Sequence, residues 1–204
     1  MTQKLACVVE GDSERIGLKY LVNKTLQVLR PEVNPWTCRT PIQLHRDDFS
    51  KSTAQGMVYG SSDLERNITI QHYAVRELNG GVLCLCDADK ENPIELEAQL
   101  QNQFSQHQAM PKLEFVVVGR ELEAWFLACA LALAEHRQLP AGTQDVPEHQ
   151  APKDCKGWLH ARRSGGYRNT IHMSNLVTAM NPEVSLENSP SYRRFYEAIL
   201  RLIL

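Results

Sequence analysis

Short apolar runs alternate with amphipathic stretches along the first two thirds of the chain. Lys4 to Val9 is apolar and ends in Glu10-Gly11, the pattern of a buried strand entering a turn. Asp12 is placed to cap a helix with Ile16, Tyr20 and Leu21 on one face, ended by Pro31. Residues 31 to 60 carry scattered Pro and Gly and predict loops around a weak strand near Trp36 to Thr40. Ser62-Asp63-Leu64-Glu65 is a capping box. It opens a helix bearing Leu64, Ile68, Val75 and Leu78, which Gly80-Gly81 closes. Val82 to Cys86 predicts a second strand, emptying into Asp87-Ala88-Asp89. Asn92 and Pro93 start a helix whose buried face is Leu96, Leu100 and Phe104. Glu114 to Gly119 predicts a valine-rich third strand, and Glu121 to His136 one strongly apolar helix.

Strands that are continuous apolar runs, separated by helices, predict an α/β fold with a mostly parallel sheet covered on both faces. After Arg137 the texture changes. Gln138 to Pro152 holds four prolines and glycines and no periodicity, so it reads as a loop. Helical patterns follow over Lys153 to Arg163, Tyr167 to Met180 and Ser191 to Leu204, the last opened by Ser189-Pro190. The expected organisation is an α/β core over 1–137, and a loop plus C-terminal helical extension packed on it over 138–204.

Composition narrows the function classes. The chain has 204 residues, 43% of them apolar, enough for one sizeable core. A net charge of -2 excludes a globally basic nucleic-acid coat but not a local patch. The longest uncharged apolar run, Ala124 to Ala134, has eleven residues, short of the ~20 that span a bilayer, so no membrane association is expected. Leu5 to Val9 is too short for the core of a secretory signal, and a cytoplasmic location is expected. Six cysteines without a C-x-x-C pair read as buried, reduced thiols, and seven scattered histidines suggest no zinc site.

Carboxylates stand where the strands end: Glu10 after the first, Asp87 and Asp89 after the second, Glu121 and Glu123 after the third. In an open parallel sheet these ends line the ligand crevice. Carboxylates gathered there repel one another unless a positive charge joins them, and Mg²⁺ takes oxygen ligands of this kind. If Asp87-Ala88-Asp89 stays extended, both acids face one side and can share an ion. Each acid also has a plainer reading. Asp-x-Asp after a strand caps the next helix or stays solvated, and acids at a helix start favour its dipole.

Val9-Glu10-Gly11-Asp12-Ser13-Glu14 and Cys86-Asp87-Ala88-Asp89 resemble the glutamate and D-x-D signatures of the TOPRIM (topoisomerase–primase) fold. Two further blocks are Gly119-Arg120-Glu121-Leu122-Glu123-Ala124-Trp125-Phe126-Leu127-Ala128 and Ser189-Pro190-Ser191-Tyr192-Arg193-Arg194-Phe195. With them, the chain resembles an uncharacterised bacterial family of unknown function, related to the TOPRIM domains of the overcoming-lysogenisation-defect (OLD) nucleases. The resemblance implies a TOPRIM-like, Rossmann-like fold. It implies Glu10 as general base, general acid or metal ligand, and Asp87 and Asp89 as ligands of Mg²⁺ or Mn²⁺. Glu123 would be a further acidic ligand, with Glu14 and Glu121 behind the ligands. The chain departs from the pattern at Cys129, where the family is expected to carry an acid. The resemblance also implies an ABC-type ATPase partner in defence against phage or plasmids.

A basic segment complements the acids. Lys153, Lys156, Arg162, Arg163 and Arg168 face only Asp154, a local charge of +4. Trp158, His160 and Tyr167 are interleaved. Cations neutralise phosphates and aromatic faces stack bases, so the segment is a candidate nucleic-acid site. Equally, it reads as a solvated helix face with Trp158 in the core. Ser164-Gly165-Gly166 either hinges a lid or ends a helix. The leading expectation is a metal-dependent nuclease that hydrolyses phosphodiesters. A non-catalytic regulatory subunit of an ATPase complex is the alternative. A phosphatase of the haloacid-dehalogenase kind is a third reading, but Glu91 stands where that pattern has Thr or Val. No G-x-G-x-x-G fingerprint of a dinucleotide fold is present.

Overall fold

The computed structural model describes residues 4–33, 38–45, 47–49, 62–105 and 112–204. Four strands form one parallel sheet: β1 (Leu5–Val9), β2 (Ile42–Gln43), β3 (Gly81–Asp87) and β4 (Leu113–Val118), in the order β2-β1-β3-β4. The fold is α/β and Rossmann-like. Helix α1 (Asp12–Leu29) follows β1, α2 (Asp63–Val75) precedes β3, and α3 (Pro93–Ser105) links β3 to β4. After β4 come α4 (Ala124–Leu127), α5 (Ala130–Glu135), α6 (Cys155–Arg162), α7 (Asn169–Ala179), α8 (Pro182–Asn188) and α9 (Pro190–Ile203). Among the described residues no helix is long and apolar enough to cross a membrane.

Alternation along the strands divides the core in two. Leu5, Cys7, Val9, Leu83, Leu85, Val116 and Val118 pack with residues of α1 and α4 to α9. Ala6, Val8, Val82, Cys84, Cys86, Phe115 and Val117 face the other way, against Leu64 and Ile68 of α2 and Leu96, Leu100 and Phe104 of α3. Both faces are therefore covered, which is why the strands read as unbroken apolar runs. All six cysteines are buried and free, as their apolar surroundings suggested. The chain leaves β1 in one direction for β2 and in the other for β3 and β4. The order therefore reverses between β1 and β3, and in such sheets the crevice beyond the strand ends opens there.

Several expectations shift at element boundaries. Gly11, not Asp12, caps α1, and Asp12 instead pairs with Arg15. Tyr20 is 53% exposed; the buried stripe runs through Gly17, Leu18, Leu21, Val22 and Leu26. The cause is Met173 of α7, which packs on Gly17 and leaves no room for a side chain there. Ser62 does cap α2, accepting from the Glu65 amide at 3.2 Å, but Leu78 lies in an exposed 3-10 turn, and Asn79 at φ 54 makes the reversal into β3. Of the weak strand near Trp36 to Thr40, residues 34–37 lie outside the described residues. Cys38 makes an isolated bridge to Leu5, and β2 follows at Ile42.

The helix expected over Glu121 to His136 is two short helices broken at Cys129, whose φ and ψ are -127° and 37°. Ala124 through Ala130 is buried on every side, so no solvent face favours one continuous cylinder. Backbone groups near the break bond elsewhere: Ser185 donates to the Trp125 carbonyl, Asn188 to the Ala128 carbonyl, and the Leu131 amide donates to Asp145. The helix α8 was not expected from periodicity. Its Asn181-Pro182 start, with Asn181 accepting from the Glu183 and Val184 amides, is the local signal for it.

Candidate functional site

Glu10 and Asp87 meet at the reversal point. The Asp87 amide donates to Glu10 Oε2 at 3.1 Å, joining the ends of two adjacent strands. Glu14 enters from the first turn of α1, 3% exposed, its carboxylate folded over Gly11. Gly11 therefore cannot carry a side chain, a physical reason for the Glu10-Gly11 pair at the strand end. Glu123, fully buried, arrives from the turn before α4. Its Oε1 accepts from Ser13 Oγ at 2.8 Å and from Tyr167 Oη at 2.9 Å. Asn169 donates to Ser13 Oγ at 3.3 Å.

One cation enters this cluster. Lys156 Nζ lies 3.1 Å from Glu121 Oε1 and 3.7 Å from Glu123 Oε2, and the Lys156 amide donates to Glu121 Oε2 at 2.9 Å. Its half-burial alone would pull the ammonium down; Glu123, Glu121 and Asp87 outweigh that and hold it above its usual range. The carboxyls move the other way. Burial pushes Glu14 up to about 7, reinforced by Glu123 and Glu10 and opposed by Lys156. Burial, then the charges of Glu14 and Glu10, lift Asp87 well above the carboxylate range. Burial also raises Glu123, against the donors Lys156, Ser13 and Tyr167. Tyr167 is held protonated by burial and by Glu123. Ionisable groups perturbed together in a crevice mark a candidate functional site.

Asp89 stands apart from this geometry. Strand β3 ends at Asp87, and Asp89 lies in an exposed turn at φ 51, so the extended Asp-x-Asp that would aim both acids one way is not formed. Among the described residues no group of three or more His, Cys, Asp or Glu side chains is arranged to hold a metal ion. The donor chemistry still suits a hard cation. The donors are all oxygen, and two buried carboxylate oxygens, Asp87 Oδ1 and Glu123 Oε2, have no hydrogen-bond partner among the described residues. Mg²⁺ is commonly held by one or two carboxylates, with waters and substrate oxygens completing the shell.

The basic residues divide. Lys156, Gly157, His160, Tyr167, Arg168 and Asn169 line a cleft of about 550 Å³ that shares Lys156, Tyr167 and Asn169 with the acidic cluster. Arg162 and Arg163 line a separate cavity, and Lys153 is exposed ahead of α6. Tyr167 is corrected as a stacking residue: it is 7% exposed and its hydroxyl is committed to Glu123. Arg162 covers the Trp158 ring, its guanidinium carbon 4.0 Å from the centroid. Gly165 and Gly166, at φ 78 and 76, form the turn after α6. Ser13 and Asn169 are the residues of this cluster that sequence reasoning did not place, and Tyr167 enters it by its hydroxyl rather than its ring face. Ser13 lies 110 positions from its partner Glu123, so no local spacing signals the contact.

A family model described as a domain of unknown function (DUF4276) matches residues 9–200. No curated protein and no solved structure matches the chain.

Proposed function

The chain belongs to the DUF4276 family of unknown function, and we propose that it is a TOPRIM-like, metal-dependent nuclease related to the OLD enzymes. The observation that carries the reading is the meeting of Glu10 and Asp87 at the sheet's reversal point, with Glu14 and Glu123 buried beside them. Carboxylates so placed need a positive partner, and the adjoining cleft offers Lys156 and Arg168 to a polyanion. Glu10 and Asp87 would hold Mg²⁺ or Mn²⁺, assisted by Glu123; Asp89, turned away at φ 51, is left out of the set. The bound ion would supply Lewis-acid polarisation of a phosphoryl oxygen.

The chain's own groups do the positioning. Glu123 fixes Ser13 and Tyr167 and shares Lys156 with Glu121, so the ammonium stands at the boundary between acids and cleft. Lys156 and Arg168 would bind the phosphate backbone there. By the same resemblance, an ABC-type ATPase is the proposed partner, in cytoplasmic defence against phage or plasmids.

The test uses the purified chain with supercoiled and linear DNA, RNA and a chromogenic phosphodiester, in Mg²⁺, Mn²⁺ or EDTA. Hydrolysis should require the metal and fall by about 100-fold or more in Asp87→Asn. Partner binding that is indifferent to EDTA and to Asp87→Asn, with no turnover of any substrate, would replace this reading with that of a non-catalytic regulatory subunit.

A further inference from the structure

Lys156, Gly157 and His160 give one part of α6 to the cleft beside the acids. Farther along, Ala161 and Arg162, with Arg163 and Ser164 just past the helix end, line a separate cavity of about 370 Å³. Its other wall is Arg137, Gln138, Leu139 and Pro140, where the chain leaves α5. Three arginines thus line one small concavity whose lining includes no carboxylate. Among the described residues no ion pair involves Arg137, Arg162 or Arg163, whereas Arg15, Arg30, Arg66, Lys156, Arg194 and Arg201 are each paired with an acid.

The guanidiniums are held but not neutralised. Arg163 donates to the Gly166 carbonyl and to Gln138 Oε1, each at 3.3 Å, while its Nε is buried without a partner. Arg162 rests on Trp158. Arg137 sits at φ 59, a left-handed conformation that a non-glycine residue adopts only at a cost. A helix C-terminus favours a neighbouring cation, which accounts for one arginine after α5 and one after α6. It does not account for three arginines lining one cavity that holds no acid. Planar guanidinium forks match phosphate oxygens, and a phosphate in the cavity would supply the counter-charge that its lining lacks.

We propose that Arg137, Arg162 and Arg163 form a second phosphate subsite, which takes a backbone phosphate of the polynucleotide whose neighbouring segment lies in the Lys156 cleft. The polynucleotide rests on the nuclease reading above; the phosphate rests on the arginine cavity alone. Lys156 and Arg163 are seven residues apart, about 10 Å along the helix axis. That is roughly three times the 3.4 Å rise per phosphate of a duplex strand. A strand engaged in the cleft therefore reaches the arginines within a few nucleotides.

The test measures binding without turnover. Fluorescein-labelled single- and double-stranded 15-mers are titrated in EDTA, following anisotropy, against the intact chain and the double variant Arg137→Gln/Arg162→Gln. Both residues are exposed, so the fold is expected to survive, which circular dichroism checks. The dissociation constant should rise about tenfold, and the salt slope should fall by about one. In parallel, the Arg163 Nε–H resonance is followed as inorganic phosphate is added, and a saturable shift is expected. Unchanged affinity and salt slope in the double variant would overturn the backbone subsite. If Arg163 nevertheless responds to phosphate, the cavity belongs to a free phosphate or small ester instead. Arginine-dependent binding without metal-dependent hydrolysis would sink the nuclease reading and leave this one standing.

Discussion

Glu14 carries its carboxyl in the first turn of α1, out of water and among other acids. Burial raises it from an ordinary value near 4.5 to about 7. The folded chain therefore binds this proton more tightly than the unfolded chain does. Stability from this group is complete below about 4.5 and is lost as pH rises towards 7, by an amount on the order of 3 kcal/mol. Asp87 and Glu123 are also raised, so they add in the same direction. Lys156 is raised too, and its contribution is lost only in the alkaline range. Urea unfolding from pH 5 to 8 should show falling stability, and Glu14→Gln should flatten the slope and stabilise the chain at pH 8. A slope that Glu14→Gln leaves unaltered would mean that Glu14 is already ionised at neutral pH. The meeting of Glu10 and Asp87 was legible because strand ends can be read from apolar runs. The bond from Ser13 to Glu123 and that from Tyr167 to Glu123 depend on how distant elements dock, which no local pattern records.

At the scale of elements, the sequence signals worked where chemistry is local and failed where packing decides. The caps of α2, α3 and α9 were readable because Ser62, Asn92 and Ser189 bond amides two or three positions ahead. The break at Cys129 was not, because the groups that take over the backbone come from α8 and the loop after α5. That loop has its own anchor. Glu148 accepts from Ser189 Oγ at 2.7 Å, the Ser191 amide at 2.9 Å and Ser191 Oγ at 2.6 Å. Ser191 Oγ in turn accepts from Trp125 Nε1 at 2.7 Å. The carboxylate thus lies at the positive end of α9 and ties α4, the loop and α9 together. Glu148→Ala leaves buried donors unmet and should lower stability by about 2–4 kcal/mol, read from the urea midpoint. Glu148→Gln, which keeps one acceptor, should lose less. A loss under about 1 kcal/mol in the alanine variant would show that water replaces the carboxylate and that Glu148 is no anchor.

For the whole molecule, the change of texture after Arg137 suggested a core and an extension, yet the two share one interior. Helix α9 packs on β3 and β4, and Tyr192 and Phe195 pack against Trp125 of α4, Tyr192 edge-on and Phe195 tilted. Tyr192, Phe195, Ile199, Leu202 and Ile203 are buried from α9. At about 1.5–3 kcal/mol per buried side chain, that helix alone supplies roughly 10 kcal/mol of apolar burial, comparable to the 5–15 kcal/mol net stability of a typical domain. The site depends on the same docking, since Lys156, Tyr167 and Asn169 reach the acids from residues 138–204. The full chain should therefore unfold in a single transition seen alike by near- and far-ultraviolet circular dichroism. A fragment of residues 1–137 should keep helical signal, lose fixed aromatic packing and bind a hydrophobic dye, because one face of its sheet loses α6 to α9. If that fragment unfolds cooperatively and excludes the dye, α1, α4 and α5 suffice to cover the face, and the helices after Arg137 are an addition to a self-sufficient core.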